Sequence, residues 1–233
     1  MNLNGKNRSN KLLYYFKNRS QKKFKRRFFL VILCIFLTAV FIRNYLFFAL
    51  RIDSLSMHPA LNPGDYCVFS RLSLGLKKPF SENKKNNLLF RTGLLKCGDL
   101  IACADPDHKP RSSFFQFFDV PLGIISLGTI RLDPQVYIVR RVLARPGEKV
   151  EIKNKQIYIN DSPFTPFWNI YFPDRRILPE AISRRDNMPP VIVASGEFFL
   201  ISDNWDYSMD SRMFGTVPAE KIHARAIKVF RWF

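Results

Sequence analysis

The sequence predicts a mainly β domain standing behind a single N-terminal transmembrane helix. Two observations carry that expectation. One apolar stretch near the N-terminus directly follows a dense basic cluster. After residue 50, short β-type runs bounded by turn residues take the place of helical periodicity.

Residues 1–27 form the first element. The chain of 233 residues carries a formal net charge of +18, which by itself raises nucleic acid as a partner. The distribution argues otherwise. Residues 1–27 hold ten Lys and Arg and no acid, leaving +8 for everything that follows. Lys22, Lys23, Lys25, Arg26 and Arg27 stand immediately before the apolar run. Basic residues in that position are retained on the cytoplasmic side and attract anionic headgroups. A lipid bilayer is therefore the expected partner of this segment, and nucleic acid is not.

The membrane anchor is expected over residues 28–49. Phe28 to Ile42 is uninterrupted by charge, Arg43 and Asn44 break it, and Tyr45 to Leu50 continue it. Arg43 can snorkel to an interface, where the aromatic residues after it are also at home. A cleaved secretory leader has a similar basic start and apolar middle. Here no small-x-small site follows before Arg51, so an uncleaved anchor is expected. The charge places the N-terminus inside and residues 50–233 outside a cytoplasmic (inner) membrane crossed once.

The outer region of roughly 180 residues is enough for one well-filled domain. Asp65–Phe69, Asp99–Cys103 and Val136–Val139 read as strands. Val150–Ile152 and Gln156–Ile159 alternate around Asn154-Lys155, a hairpin signature. Glu197–Ile201 follows the Ser195-Gly196 turn, and Ala224–Trp232 reads as a closing strand. Residues 71–96 and 162–194 look like excursions from the core. Outside the anchor stand Cys67, Cys97 and Cys103, an odd number with no CxxC and no adjacent His, so neither a metal site nor a disulfide framework is expected. No cofactor is implied.

Four separated segments carry chemistry. Asp53-Ser54-Leu55-Ser56-Met57-His58-Pro59-Ala60-Leu61 sits just beyond the anchor. Gly98-Asp99-Leu100-Ile101 is a turn entering a strand. Tyr137-Ile138-Val139-Arg140-Arg141 runs on to Arg145-Pro146-Gly147-Glu148. Ser202-Asp203-Asn204-Trp205-Asp206-Tyr207-Ser208-Met209-Asp210-Ser211-Arg212-Met213-Phe214-Gly215 is dense in short polar side chains. Taken singly they also read as turns, a strand and a surface loop. Asp210 and Arg212 are spaced to pair, and buried Ser and Asn side chains position neighbouring groups by hydrogen bonds.

Together and in this order, the four resemble the type I signal peptidases, the bacterial leader peptidases of the serine/lysine-dyad type. That family carries Ser-x-Ser-Met-x-Pro-Thr-Leu, Gly-Asp-Ile/Leu-hydrophobic, Tyr-Ile-Lys-Arg followed by Pro-Gly-Asp, and Gly-Asp-Asn-x-x-x-Ser-x-Asp-Ser-Arg-x-x-Gly. The resemblance implies a membrane-bound serine endopeptidase that removes signal peptides from exported preproteins after Ala-x-Ala-like sites. It implies Ser56 as nucleophile and Ser54 as the hydroxyl of the oxyanion hole. It implies Ser208 as the residue orienting the base, and Asp210 with Arg212 as structural support. The implied fold is a β-rich domain with an apolar surface resting on the bilayer.

One departure bears on mechanism. The family's general base is a lysine, and that position here is Arg140. A buried lysine loses its charge on desolvation and can then take the serine proton. Neutralising an arginine near pH 7 asks for roughly six pH units, about 8 kcal/mol. That approaches the whole stability of a typical domain. Ala60 for Thr and Ser202 for Gly are smaller departures. Three readings follow. In the first, the chain is a working peptidase in which a lysine such as Lys149 or Lys153 reaches Ser56, or in which Arg140 stabilises charge while water or another group takes the proton. In the second, it is a catalytically impaired paralogue that binds exported chains or regulates an active enzyme. In the third, it is a basic membrane-surface or nucleic-acid protein.

Overall fold

The computed structural model describes residues 23–39, 42, 46–74, 76–77, 88–90, 95–105 and 137–231. The chain divides into two compact units at residues 43 and 44. In the first unit, residues 23–39 form a helix, α1, whose apolar side chains, Phe28, Phe29, Val31 and Leu37 among them, are exposed. Of the expected anchor, residues 40, 41 and 43–45 lie outside the described residues. Among the described residues no helix is long and apolar enough to cross a membrane. Residues 47–49, expected at the anchor's outer end, lie in a strand.

The second unit is mainly β, as the turn-bounded runs predict. Its strands are β1 (Phe47–Arg51), β2 (Tyr66–Ser70), β3 (Leu76–Lys77), β4 (Leu88–Phe90), β5 (Leu100–Ala104), β6 (Tyr137–Ala144), β7 (Lys149–Lys153), β8 (Gln156–Ile159), β9 (Ser162–Phe164), β10 (Met188–Ile192), β11 (Glu197–Ile201), β12 (Val217–Pro218) and β13 (Ile222–Phe230). A seven-stranded antiparallel sheet runs β1-β2-β13-β5-β6-β11-β12, and a four-stranded one runs β10-β7-β8-β9. β3 pairs with β4. A short helix, α2 (Ser211–Phe214), follows β11.

Turn chemistry explains the second sheet. Asn154 and Lys155 both take positive φ, 50° and 65°, as a two-residue hairpin matching the strand twist requires. Asn160 and Asp161 repeat the device between β8 and β9. The segment 162–194 is a correction to expectation. It supplies β9 and β10, and Met188 and Val193 join Leu143, Ile152, Phe199 and Trp205 in a buried cluster between the sheets. Its Pro, Arg and aromatic content masked two short strands. Leu95, at the end of the other expected excursion, is likewise buried, against Val142 and Phe198.

A further cluster underlies the Ser54–Leu61 segment. Met57 and Leu61 are fully buried with Ile52, Cys67, Phe69, Ala102, Val139 and Ala224. Burial of a side chain the size of Met57 or Leu61 stabilises the fold by roughly 1.5–3 kcal/mol. The two apolar anchors hold the intervening backbone against β2, β5 and β6 and leave the serines at the rim.

Candidate active site

The Ser54–Met57 segment turns through a single 3-10 turn, Leu55–Met57. Met57 plugs the core while Ser56 is half-buried and Ser54 exposed. The Ser56 carbonyl is held twice from the 203–210 loop. Asn204 N donates to it at 3.0 Å and Ser208 Oγ at 3.3 Å. Asn204 Nδ2 also donates to Leu55 O at 3.1 Å. The segment is therefore pinned from its core side and from its loop side, which fixes where the Ser56 hydroxyl stands.

β6 delivers the next group. Successive strand residues point to opposite faces, so Arg140 and Arg141 have different partners. Arg140 Nη1 donates to Ser56 Oγ at 3.1 Å. The rest of its fork is held by backbone carbonyls: Nη1 donates to Val139 O at 2.7 Å, and Nε and Nη2 donate to Met209 O at 3.0 and 2.7 Å. Arg140 is 7% exposed. Burial pulls its guanidinium below the ordinary arginine value, with Asp210 pulling the other way. Arg141 instead makes a two-pronged pair with Asp203, Nε to Oδ1 at 2.8 Å and Nη2 to Oδ2 at 2.5 Å, and caps Gly98 O. Its guanidinium lies over the Trp168 ring. Burial raises the Asp203 carboxyl, and Arg141 opposes that shift.

Ser54 Oγ lies 3.0 Å from Ser56 Oγ. Ser54, Ser56 and Arg140 thus meet at one oxygen, and Ser208 reaches the Ser56 carbonyl rather than its hydroxyl. Asp210 and Arg212 stand behind them. Arg212 Nε and Nη2 grip Asp210 at 2.9 and 2.8 Å, while Ser202 N and Arg212 N donate to the same carboxylate. With four donors upon it, and serving as the N-cap of α2, the Asp210 carboxylate has its acceptor sites filled. Arg212 is sandwiched further, over the Trp205 ring and onto Arg185 O and Trp205 O.

The lysines considered as substitute bases are occupied elsewhere. Lys149 Nζ pairs with Asp161, and Lys153 Nζ with Glu151 at 2.9 Å. The Glu151 contact raises the Lys153 amine, which disfavours its neutral form. His58 Nδ1 meets Asn62 Oδ1 at 2.8 Å, and His108 lies outside the described residues. Among the described residues no three His, Cys, Asp or Glu side chains converge on a metal position. All four cysteines are free.

Sequence reasoning gave no role to Met209, whose carbonyl holds Arg140, because a backbone acceptor leaves no side-chain signature. It gave Asn204 only the general task of positioning a neighbouring group, and the structure shows that neighbour to be the Leu55–Ser56 backbone. It also missed an ionic cluster beside the loop. Lys155 Nζ meets Asp206 at 3.0 Å and Asp174 O at 2.5 Å, and Arg185 bridges Asp186 and Asp174. Trp205 Nε1 donates to Asp186 at 3.1 Å. These groups come from the stretch read as an excursion, from a hairpin turn and from the 203–210 loop, so nothing in the linear order joins them.

The family model described as signal peptidase, peptidase S26, matches residues 25–232. The chain is 24% identical over 258 residues to signal peptidase I of Buchnera aphidicola subsp. Acyrthosiphon pisum, covering 85% of this chain and 73% of that one. It is 23% identical over 202 residues to signal peptidase I V of Bacillus subtilis, covering 85% and 94%. A crystal structure of a signal peptidase I from Enterococcus faecalis V583 aligns with a TM-score of 0.36 at 18% identity, over 56% of this chain and 94% of that one.

Proposed function

This chain belongs to the signal peptidase family, peptidase S26, and from that premise we propose that it is a membrane-bound serine endopeptidase removing signal peptides from exported preproteins. The relatives it matches are named signal peptidases, which supports that substrate class. The observation that carries the reading is the Ser56 hydroxyl. It stands at the rim of a pinned turn, with Arg140 Nη1 at 3.1 Å and Ser54 Oγ at 3.0 Å.

In this reading Ser56 attacks the scissile carbonyl after a small residue in an Ala-x-Ala-like site. Arg140 remains a cation and stabilises the developing alkoxide from its donor side. The Ser56 amide, with Ser54 beside it, faces the oxyanion. Ser208 and Asn204 fix the nucleophile's backbone, and Asp210 with Arg212 braces the loop that carries Ser208 and Met209. Residues 1–27 stay cytoplasmic, the apolar run from Phe28 anchors the chain in the inner membrane, and the domain that begins with β1 at Phe47 works outside against the bilayer.

A second reading has one observation in its favour. Every N–H of a guanidinium is a donor and none accepts, so Arg140 cannot take the Ser56 proton as a lysine would. A chain with that defect would hold an exported signal peptide without cutting it, or regulate an active enzyme. The test is cleavage of a purified Ala-x-Ala preprotein by the full chain in detergent, beside Ser56→Ala. Cleavage lost with Ser56→Ala supports the peptidase. Protection or retention of the signal peptide without cleavage supports the second reading.

A further inference from the structure

We propose that in this chain Ser54 takes the hydroxyl proton of Ser56 and passes it to solvent hydroxide. The proposal rests on the reading of Ser56 as nucleophile, and it answers what replaces the missing base. Arg140 Nη1 donates to Ser56 Oγ, so one lone pair of that oxygen is engaged. The Ser56 hydrogen then needs an acceptor, and Ser54 Oγ at 3.0 Å is in hydrogen-bond reach. Among the described residues, Met209 O receives two Arg140 donors and Asp210 receives four, while Lys149 and Lys153 are paired with Asp161 and Glu151. Ser54 is exposed, so its own hydrogen meets water.

The step balances. The Ser56 O–H bond breaks as its oxygen bonds the scissile carbonyl carbon, and the carbonyl electron pair moves onto the oxyanion. The released proton goes to Ser54 Oγ while the original Ser54 proton leaves to hydroxide, forming water. On collapse, water returns a proton through Ser54 to the departing amine and regenerates hydroxide. Ser54 thereby touches the reacting oxygen and acts as a catalytic residue, not only as a neighbour of the oxyanion.

The experiment compares Ser54→Thr, which keeps the hydroxyl, with Ser54→Val, which matches its shape and excludes water. Both are made in the natural chain and in Arg140→Lys, with Ser56→Ala as the control. Cleavage of an Ala-x-Ala preprotein by the full chain in detergent is followed from pH 6 to 9. The expected natural rate climbs about tenfold per pH unit without a plateau, because each turnover draws on hydroxide. Ser54→Val falls below Ser54→Thr by about 10²–10⁴-fold in the natural chain, the span of a lost proton-transfer group. In Arg140→Lys the same gap shrinks at least tenfold, because the lysine takes the proton. An equal gap in both backgrounds, or a plateau in the natural profile with Ser56-dependent cleavage intact, overturns the relay and leaves the peptidase standing. No Ser56-dependent cleavage by the natural chain overturns both.

Discussion

Arg140 Nη1 lies 3.1 Å from Ser56 Oγ and can only donate to it. A donor-only neighbour stabilises an alkoxide but cannot generate one. Arg140→Lys exchanges that donor for an amine in a buried setting, where desolvation favours the neutral form. Cleavage at pH 7–8 is expected to rise by roughly 10²-fold or more, at the low end of general-base contributions. The active species is the unprotonated amine, so the rate should climb through the lysine pKa and level off above it. Arg140→Gln, lacking both charge and base, should fall below the natural chain. A pH–rate series on the three proteins checks this, and a natural rate at or above that of Arg140→Lys would show that position 140 is not the base position.

The Asp210–Arg212 pair is fully buried and accounts for both charges by direct contact. Removing one partner leaves the other stranded, which typically costs about 3–5 kcal/mol. Asp210→Asn and Arg212→Met should each lower the unfolding free energy by that amount, read from the shift of the urea midpoint at unchanged slope. Trp205, which lies under the Arg212 guanidinium, reports the transition by fluorescence. A loss below about 1 kcal/mol in either variant would mean that the surrounding backbone donors and carbonyls carry the loop without the pair.

The family's motifs made much of this site legible, because each short string lies on one strand or turn and its spacing survives folding. Arg140 lies 84 residues beyond Ser56 in sequence, yet the two meet because β6 runs beside the buried Met57. The strands flanked by Gly or Asn turns were legible too, since positive φ at Asn154, Lys155 and Gly196 has few other residue choices. β9 and β10 were not. Prolines at 163, 189 and 190 hide strand character, and these strands pair in the smaller sheet, β10 at its edge, where proline is tolerated. The Lys155–Asp206 contact was hidden for another reason: it joins a hairpin tip to a loop 51 residues away, and no local pattern marks it.

That contact makes a prediction of its own. Lys155 Nζ is largely buried and holds Asp206 and the Asp174 carbonyl. Asp206 in turn accepts from Asp174 N at 2.7 Å, so one cation ties the hairpin, the 171–176 segment and the 203–210 loop. Lys155→Met keeps the stem and removes the charge. It should cost about 1–3 kcal/mol, the range for stranding a buried polar partner, with Arg185 at 3.4 Å from Asp206 limiting the damage. Amide exchange at Asn204 and Trp205, whose N–H groups bond Ser56 O and Tyr171 O, should quicken more than exchange in β5. Uniform quickening across all strands would show that the cluster serves global stability alone.

Two buried thiols make the stability of the fold sensitive to alkali. Burial pushes both Cys67 and Cys103 up to about 12 from an ordinary 9. The folded state therefore keeps each thiol protonated while the unfolded chain ionises first. Their contribution is complete below about pH 9 and drains away as pH climbs toward 12, at about 1.4 kcal/mol per unit for each thiol. Between pH 8 and pH 10 the urea-derived stability should fall by roughly 1–3 kcal/mol from this source, and the Cys67→Ala/Cys103→Ala variant should show a shallower decline than the natural chain. Iodoacetamide at pH 8 should label half-buried Cys97 well before either thiol, with peptide mass spectrometry as the readout. An equal alkaline slope in the double variant would assign the loss to other titrating groups.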